Sequence, residues 1–277
     1  MNEVNHFRRV ALIWLVSSVI LTPIVVLAAQ GIPPGDGTVQ AAGQTTDNAV
    51  LFGLSTPVTL AVVVFFIYSL IAFRERDTAA VADGPPVRGH AGVQLWWIVT
   101  TTTIVLFLAG YGTVRMLADG AGGGQGPNPI AKPASSVPAL PVQVIAQQWK
   151  FTFRFPTYGG VETNHLEIPA NLLIAFHVTS LDVIHSFWAY QLGVKADANP
   201  GVDNIAYVQT KKPLAFSIHC AELCGVWHGY MFDTGRVVAK SSFASWIRGQ
   251  RVAGVPSAKS LPPYSKTYFP DPQRRGG

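Results

Sequence analysis

The sequence predicts a membrane-anchored all-β protein. Two observations carry that prediction: three long apolar runs fill the first 117 residues, and from Pro141 apolar and polar residues alternate with a period of two. The composition agrees, since 49% of residues are hydrophobic and only 13% charged, between the habits of soluble and membrane proteins. The expected organisation has five parts. Residues 1–49 hold an apolar span and an external loop, 50–117 a transmembrane helical hairpin and 118–141 a linker. Residues 142–251 form a β domain and 252–277 a tail.

The first run, Val10 to Ala29, follows Arg8 and Arg9. Its twenty residues would span about 30 Å as a helix, enough to cross a bilayer. A signal peptide is the rival reading, with Ala28 and Ala29 near a cleavage point. Either way the following chain emerges outside. Residues 30–49 lack Lys and Arg and are rich in Gly, Pro, Thr and Gln, which reads as a translocated loop.

The second run, Leu51 to Phe73, has no charge. Arg74, Arg76 and Arg88 then mark a cytoplasmic turn by the excess of basic residues on that side. The third run, Val93 to Leu117, carries only Arg115, near its outer end, and starts with Trp96 and Trp97 at headgroup level. Gly120 to Pro141 is rich in Gly, then in Pro, and reads as a linker. The glycines at 122–124 are no phosphate loop, because no lysine follows at the required spacing.

Beyond the linker, strands are expected over Val142–Ala146, Trp149–Phe155, Leu172–Val178, Ile205–Gln209, Leu214–Ile218 and Arg236–Val238. At least six strands without intervening helices argue for a sandwich or barrel. Phe243, Trp246 and Ile247 fall at helical spacing and suggest a short closing helix.

The chemistry concentrates between Cys220 and Met231, which holds both cysteines, His228 and one of three methionines. On a helix, Cys220 and His228 would lie about 12 Å apart, too far to share a small metal site, and Gly225 and Gly229 disfavour a helix. The ligands are therefore expected to converge from a folded loop. Three readings compete for the cysteines: a disulfide, a zinc site and a copper site. Thiolate, imidazole and thioether together, with His185 upstream, favour copper. His219 adjoins Cys220 but should point to the opposite face of a strand. His165 and His177 read as structural.

The spacing Cys-x3-Cys-x3-His-x2-Met, preceded by Asp182-Val183-Ile184-His185-Ser186-Phe187, resembles the dinuclear copper A motif of cytochrome c oxidase subunit II. Leu192 to Gly201 is similar to the family's segment between those ligands, and the resemblance covers roughly residues 50 to 250. It implies a cupredoxin-like Greek-key β-barrel in which Cys220 and Cys224 bridge two coppers. His185 and His228 would be terminal ligands, with Met231 and the carbonyl of Glu222 as weak axial ones. The Glu222 carboxylate would reach a magnesium shared with subunit I. Nitrous oxide reductase carries a similar centre but an aromatic residue in place of that glutamate. Trp149, after Gln147 and Gln148, resembles the family's aromatic patch where electrons arrive, and residue type alone allows a plain sheet anchor. Family members commonly carry a proton-feeding glutamate just before the third span, where this chain has Gln94, an amide that cannot ionise.

The function so implied is that of the electron-accepting subunit of a terminal respiratory oxidase in a prokaryotic plasma membrane, with the copper domain outside. Its partners would be haem-bearing subunit I, other oxidase subunits and an external donor. A nitric oxide reductase carrying the same domain is the alternative within this chemistry. A disulfide-closed membrane receptor or assembly factor is the alternative outside it. The strand at Trp149 carries Lys150 and Arg154 and no acid, and residues 119–277 hold 14 Lys and Arg against 9 Asp and Glu. A strongly basic cytochrome c would be steered poorly by such a surface. An acidic or membrane-tethered donor, a haem or blue-copper protein, fits better.

Overall fold

The structure, a computed structural model, describes residues 5–33, 35–74, 89–119, 124, 126–133 and 137–253. Glu75, Arg76, Asp77, Arg88 and the tail beyond residue 253 lie outside the described residues. The chain clusters into two units, one of residues 1–32 and 46–113, the other of residues 33–45 and 114–277.

The first unit is helical. Helices α1 (His6–Ala29), α2 (Val39–Ala72) and α3 (Ala91–Asp119) are each long and apolar enough to cross a membrane. Their outer surfaces carry exposed Leu, Ile, Val and Phe, which water would not tolerate and lipid does. The Asn5 side chain caps α1 by accepting from the Arg8 amide at 2.9 Å. Where Pro57 interrupts α2, its carbonyl accepts from the Trp14 indole at 2.8 Å, which ties α1 to α2. One sequence expectation is corrected here. Residues 39–49 are not loop but the first turns of α2, because their Ala and Gln sustain a helix without needing lipid.

The second unit is a two-sheet sandwich. One sheet has the order β3-β2-β1-β5-β8 and the other β4-β10-β9-β6-β7. In sequence the strands are β1 (Ala139–Gln147), β2 (Lys150–Phe155), β3 (Val161–Thr163), β4 (Glu167–Pro169) and β5 (Leu173–Ser180). Then come β6 (His185–Ala189), β7 (Val194–Ala198), β8 (Asn204–Gln209), β9 (Leu214–Cys220) and β10 (Phe232–Val238). Most neighbours are antiparallel; β1 with β5 and β4 with β10 are parallel. This is the cupredoxin-like arrangement expected. Four strands escaped the sequence reading: β3 and β4 are only three residues long, β6 is buried on both sides, and β7 hides behind small alanines.

The two inner faces meet in a core of phenylalanines. Phe187 packs edge-on against Phe151 and Phe153 and tilted against Phe176, with ring centroids 5.2 to 6.3 Å apart. Because alternate residues of a strand share a face, fixing Phe187 also fixes His185 two residues earlier. Helix α4 (Lys240–Ala253) closes the sandwich by burying Phe243 and Ile247. Thr38 anchors the segment before α2 to this unit, its hydroxyl donating to the Leu192 carbonyl at 2.6 Å.

Candidate metal centre

Three strand ends and one loop build the site. His185 opens β6 and Cys220 closes β9, and the Ala221 amide donates to Ser186 at 3.0 Å. The Cys220 amide in turn donates to the Met231 carbonyl at 3.0 Å, so the start of β10 lies against the end of β9. Between them the chain turns back on itself. His228 donates to Gly225, Tyr230 to Trp227 and Met231 to His228 through backbone bonds of 2.9 to 3.1 Å. The short 3-10 turn His228–Tyr230 delivers Met231 to the sheet. The loop, not a helix, thus gathers candidate ligands spread over twelve residues.

The gathered atoms face one another closely. The Cys220 Sγ and Cys224 Sγ lie 3.7 Å apart, His185 Nδ1 is 3.8 Å from Cys220 Sγ, and His228 Nδ1 is 3.5 Å from Cys224 Sγ. Met231 Sδ is 3.8 Å from Cys224 Sγ, and the Glu222 carbonyl is 3.2 Å from Cys220 Sγ. Ligand atoms of His185, Cys220 and Cys224 all lie within 4.8 Å of one another. His185, Cys220, Cys224 and Met231 are buried, whereas the Glu222 side chain is exposed. A disulfide is excluded, since its sulfurs would stand about 2.05 Å apart and both cysteines are free. His219 is turned away, stacked between Tyr190 and Phe232 on the outer face of the sheet. His165 and His177 are also remote from the cluster, paired with Asp233 and Asp203.

Two residues shape the site in ways that ligand-type reasoning passes over. Asp182 Oδ1 lies 2.8 Å from His185 Nε2, leaving Nδ1 to face the cysteines. Partial burial works against ionisation of Asp182. Hydrogen bonds from the Gln148 amide, the His185 ring and the Val183 amide outweigh it and hold the carboxyl below its usual range. Gln148 is the second: its side-chain amide donates to the Cys224 carbonyl at 2.9 Å, and the Trp149 indole donates to the same oxygen at 3.2 Å. The hint for both lay in their neighbours, an Asp three residues before a candidate ligand and a Gln beside the tryptophan. Burial and the neighbouring Cys220 push the Cys224 thiol up to about 12. A metal ion taken up there must displace that proton, because the thiolate is the ligand.

Residues 160–238 match the family model for the periplasmic domain of cytochrome c oxidase subunit II. Over those residues the chain resembles cytochrome c oxidase subunit II. It is 27% identical over 253 residues to cytochrome c oxidase subunit 2 of Thermostichus vulcanus, covering 76% of each chain. It is 26% identical over 220 residues to the probable subunit 2 of Rickettsia bellii, covering 71% of this chain and 75% of that one. Among solved structures, the periplasmic domain of subunit II (CoxB) of Bradyrhizobium japonicum is 30% identical, covering 44% of this chain and 98% of that domain with a TM-score of 0.41.

Apolar side chains surround the candidate ligands. Ile184, Leu223, Val226, Trp227, Tyr230 and Phe232 are each at least half exposed and lie on or beside the ligand loops. One charge-based expectation is corrected. Arg154 is not a surface cation beside Trp149 but buried, its guanidinium donating to Gln143 at 3.3 Å with Glu162 3.6 Å away. It lies on the face of β2 opposite the core residues Phe153 and Phe155, and burial lowers its pKa against the pull of Glu162. Lys150 remains exposed.

Proposed function

We propose that this chain is the electron-accepting subunit of a haem–copper terminal oxidase, holding a dinuclear copper centre outside the membrane. The single observation that carries the reading is the pair of reduced, buried sulfurs 3.7 Å apart, ringed by two imidazoles, a thioether and a backbone carbonyl. That donor set is soft and copper-selective, and its sulfurs are too far apart to bond yet close enough to share ions. His185, Cys220, Cys224, His228, Met231 and the Glu222 carbonyl would hold the pair. Copper there would supply reversible one-electron chemistry.

The remaining work belongs to the chain itself. Rigid strands on both sides of the loop hold the ligands still, so little has to move when the centre changes charge. Asp182 fixes the ring of His185, and the buried cluster excludes water from the sulfurs. Trp149 is half-buried, and its indole bonds the carbonyl of Cys224, which supports it as the residue through which an external donor would pass electrons. The exposed apolar rim around the loop suits protein partners: haem-bearing subunit I on one side, the donor on the other. The Glu222 carboxylate, exposed beside a carbonyl aimed at Cys220, is free to serve a hard cation such as magnesium at the subunit interface. The ion would carry no electrons.

Spectroscopy of the copper-loaded chain tests this directly. Two coppers per chain and an unpaired electron spread over two nuclei are expected by electron paramagnetic resonance. One isolated copper, or none, would overturn the reading and return the chain to the receptor or assembly-factor class.

A further inference from the structure

We propose that the helical unit carries a binding site for one anionic phospholipid of the cytoplasmic leaflet, seated in a cleft between α1, α2 and α3. The cleft encloses about 830 Å³, well within the range of pockets that hold organic ligands. Phe7 and Trp14 of α1, Pro57 and Val62 of α2, and Trp97 and Ile104 of α3 form its walls. Among the polar groups in the walls, two are satisfied within the protein. The Trp14 indole donates to Pro57, and the Thr101 hydroxyl donates to Trp97 at 2.8 Å. What faces the space is hydrocarbon, which an acyl chain matches and water does not.

Its dimensions follow the membrane. His90 to Ile104 covers about 21 Å of α3 at 1.5 Å per residue, somewhat more than the about 15 Å of one leaflet's hydrocarbon. Trp96 and Trp97, both mostly exposed, lie one to two turns inside the His90 end, where indoles mark the headgroup boundary. A lipid seated here would therefore place its headgroup near His90 and its tails toward Pro57.

Charge chooses the headgroup. His6 is 2.7 Å from the Tyr68 hydroxyl and its ring stacks within 5.0 Å of Phe73, so the start of α1 and the end of α2 share the cleft's mouth. That brings exposed Arg8, Arg9 and Arg74 to the same end of the unit. Among the described residues of the unit the sole carboxylate is Asp47, near the opposite end of α2. His90 adds a ring donor. Its Nδ1 accepts from the Val93 amide at 3.2 Å, so the ring proton sits on Nε2. A basic mouth over an apolar slot between membrane helices is the chemistry that takes an anionic phospholipid.

The test uses the full chain, purified in mild detergent with whatever subunits accompany it, and counts retained phospholipid by phosphorus assay and mass spectrometry. Ala61→Trp, which fills the slot, should lose about one phospholipid per chain. Arg8→Gln with Arg9→Gln, which alters no packed side chain, should keep the count but lose the preference for anionic over zwitterionic lipid by severalfold. A photo-crosslinking residue at Val62 should trap lipid. An unchanged count and preference in these variants, or a Val62 adduct with a companion protein in place of lipid, would overturn the proposal. If the Ala61→Trp variant fails to accumulate, the double arginine variant and the Val62 adduct decide.

Discussion

The carboxylate of Asp182 holds the imidazole of His185 at 2.8 Å, and the other ring nitrogen faces Cys220 at 3.8 Å. One side chain thus sets the tautomer and the aim of another across a single turn of chain. Removing such a partner typically costs 10- to 100-fold in metal affinity. Asp182→Asn should therefore weaken copper binding by about that factor in a chelator-competition titration. The mixed-valence spectrum should persist once the site is saturated. Unchanged affinity would show that the strand, not the carboxylate, aims the ring.

In the proposed function Glu222 would offer its backbone to copper and its side chain to a hard cation. Glu222→Gln should leave two coppers bound, because the carbonyl 3.2 Å from Cys220 Sγ is untouched. Magnesium retention at the subunit interface should fall, or electron transfer to haem should slow. Loss of copper on this substitution would assign the side chain a direct role.

Gly225 adopts φ +120°, and a Cβ there would stand 3.1 Å from the Gln148 amide nitrogen and 3.3 Å from the Trp149 ring. Gly225→Ala should destabilise the β unit by about 1–3 kcal/mol, combining strained backbone with that crowding. Thermal melting followed by near-ultraviolet circular dichroism of the detergent-solubilised chain measures it. A melting temperature equal to the parent's would mean that the loop shifts freely to accommodate the methyl group.

Topology is checked by cysteine labelling. Single cysteines placed at Arg9 and Arg74 should be protected from impermeant reagents in intact cells, and one at Lys150 should label, since basic flanks stay inside. Labelling at position 74 from outside would invert the assignment.

The donor prediction now leans on Lys150, because Arg154 is buried. With a basic cytochrome c, the reduction rate should be slow at low salt and change little as salt rises, for want of an acidic docking patch. A fast rate that falls steeply with salt would reveal such a patch and remove the case for an acidic or tethered donor.

The sequence by itself determined the three spans, the β character of the second half and which residues are candidate ligands. Each depends on local periodicity or on residue type at fixed spacing, and both are written along the chain. The short strands β3 and β4 were invisible because three residues carry no period. The first turns of α2 were read as loop because polarity was taken for irregularity. Only the tertiary structure decided that the sulfurs lie apart, that Asp182 and Gln148 bond the candidate site, and that Arg154 is buried. Those are relations between strands joined through the core, such as β6 and β9 closing on Phe187. A linear pattern records which residues alternate, but not which partner each one meets when two sheets pack.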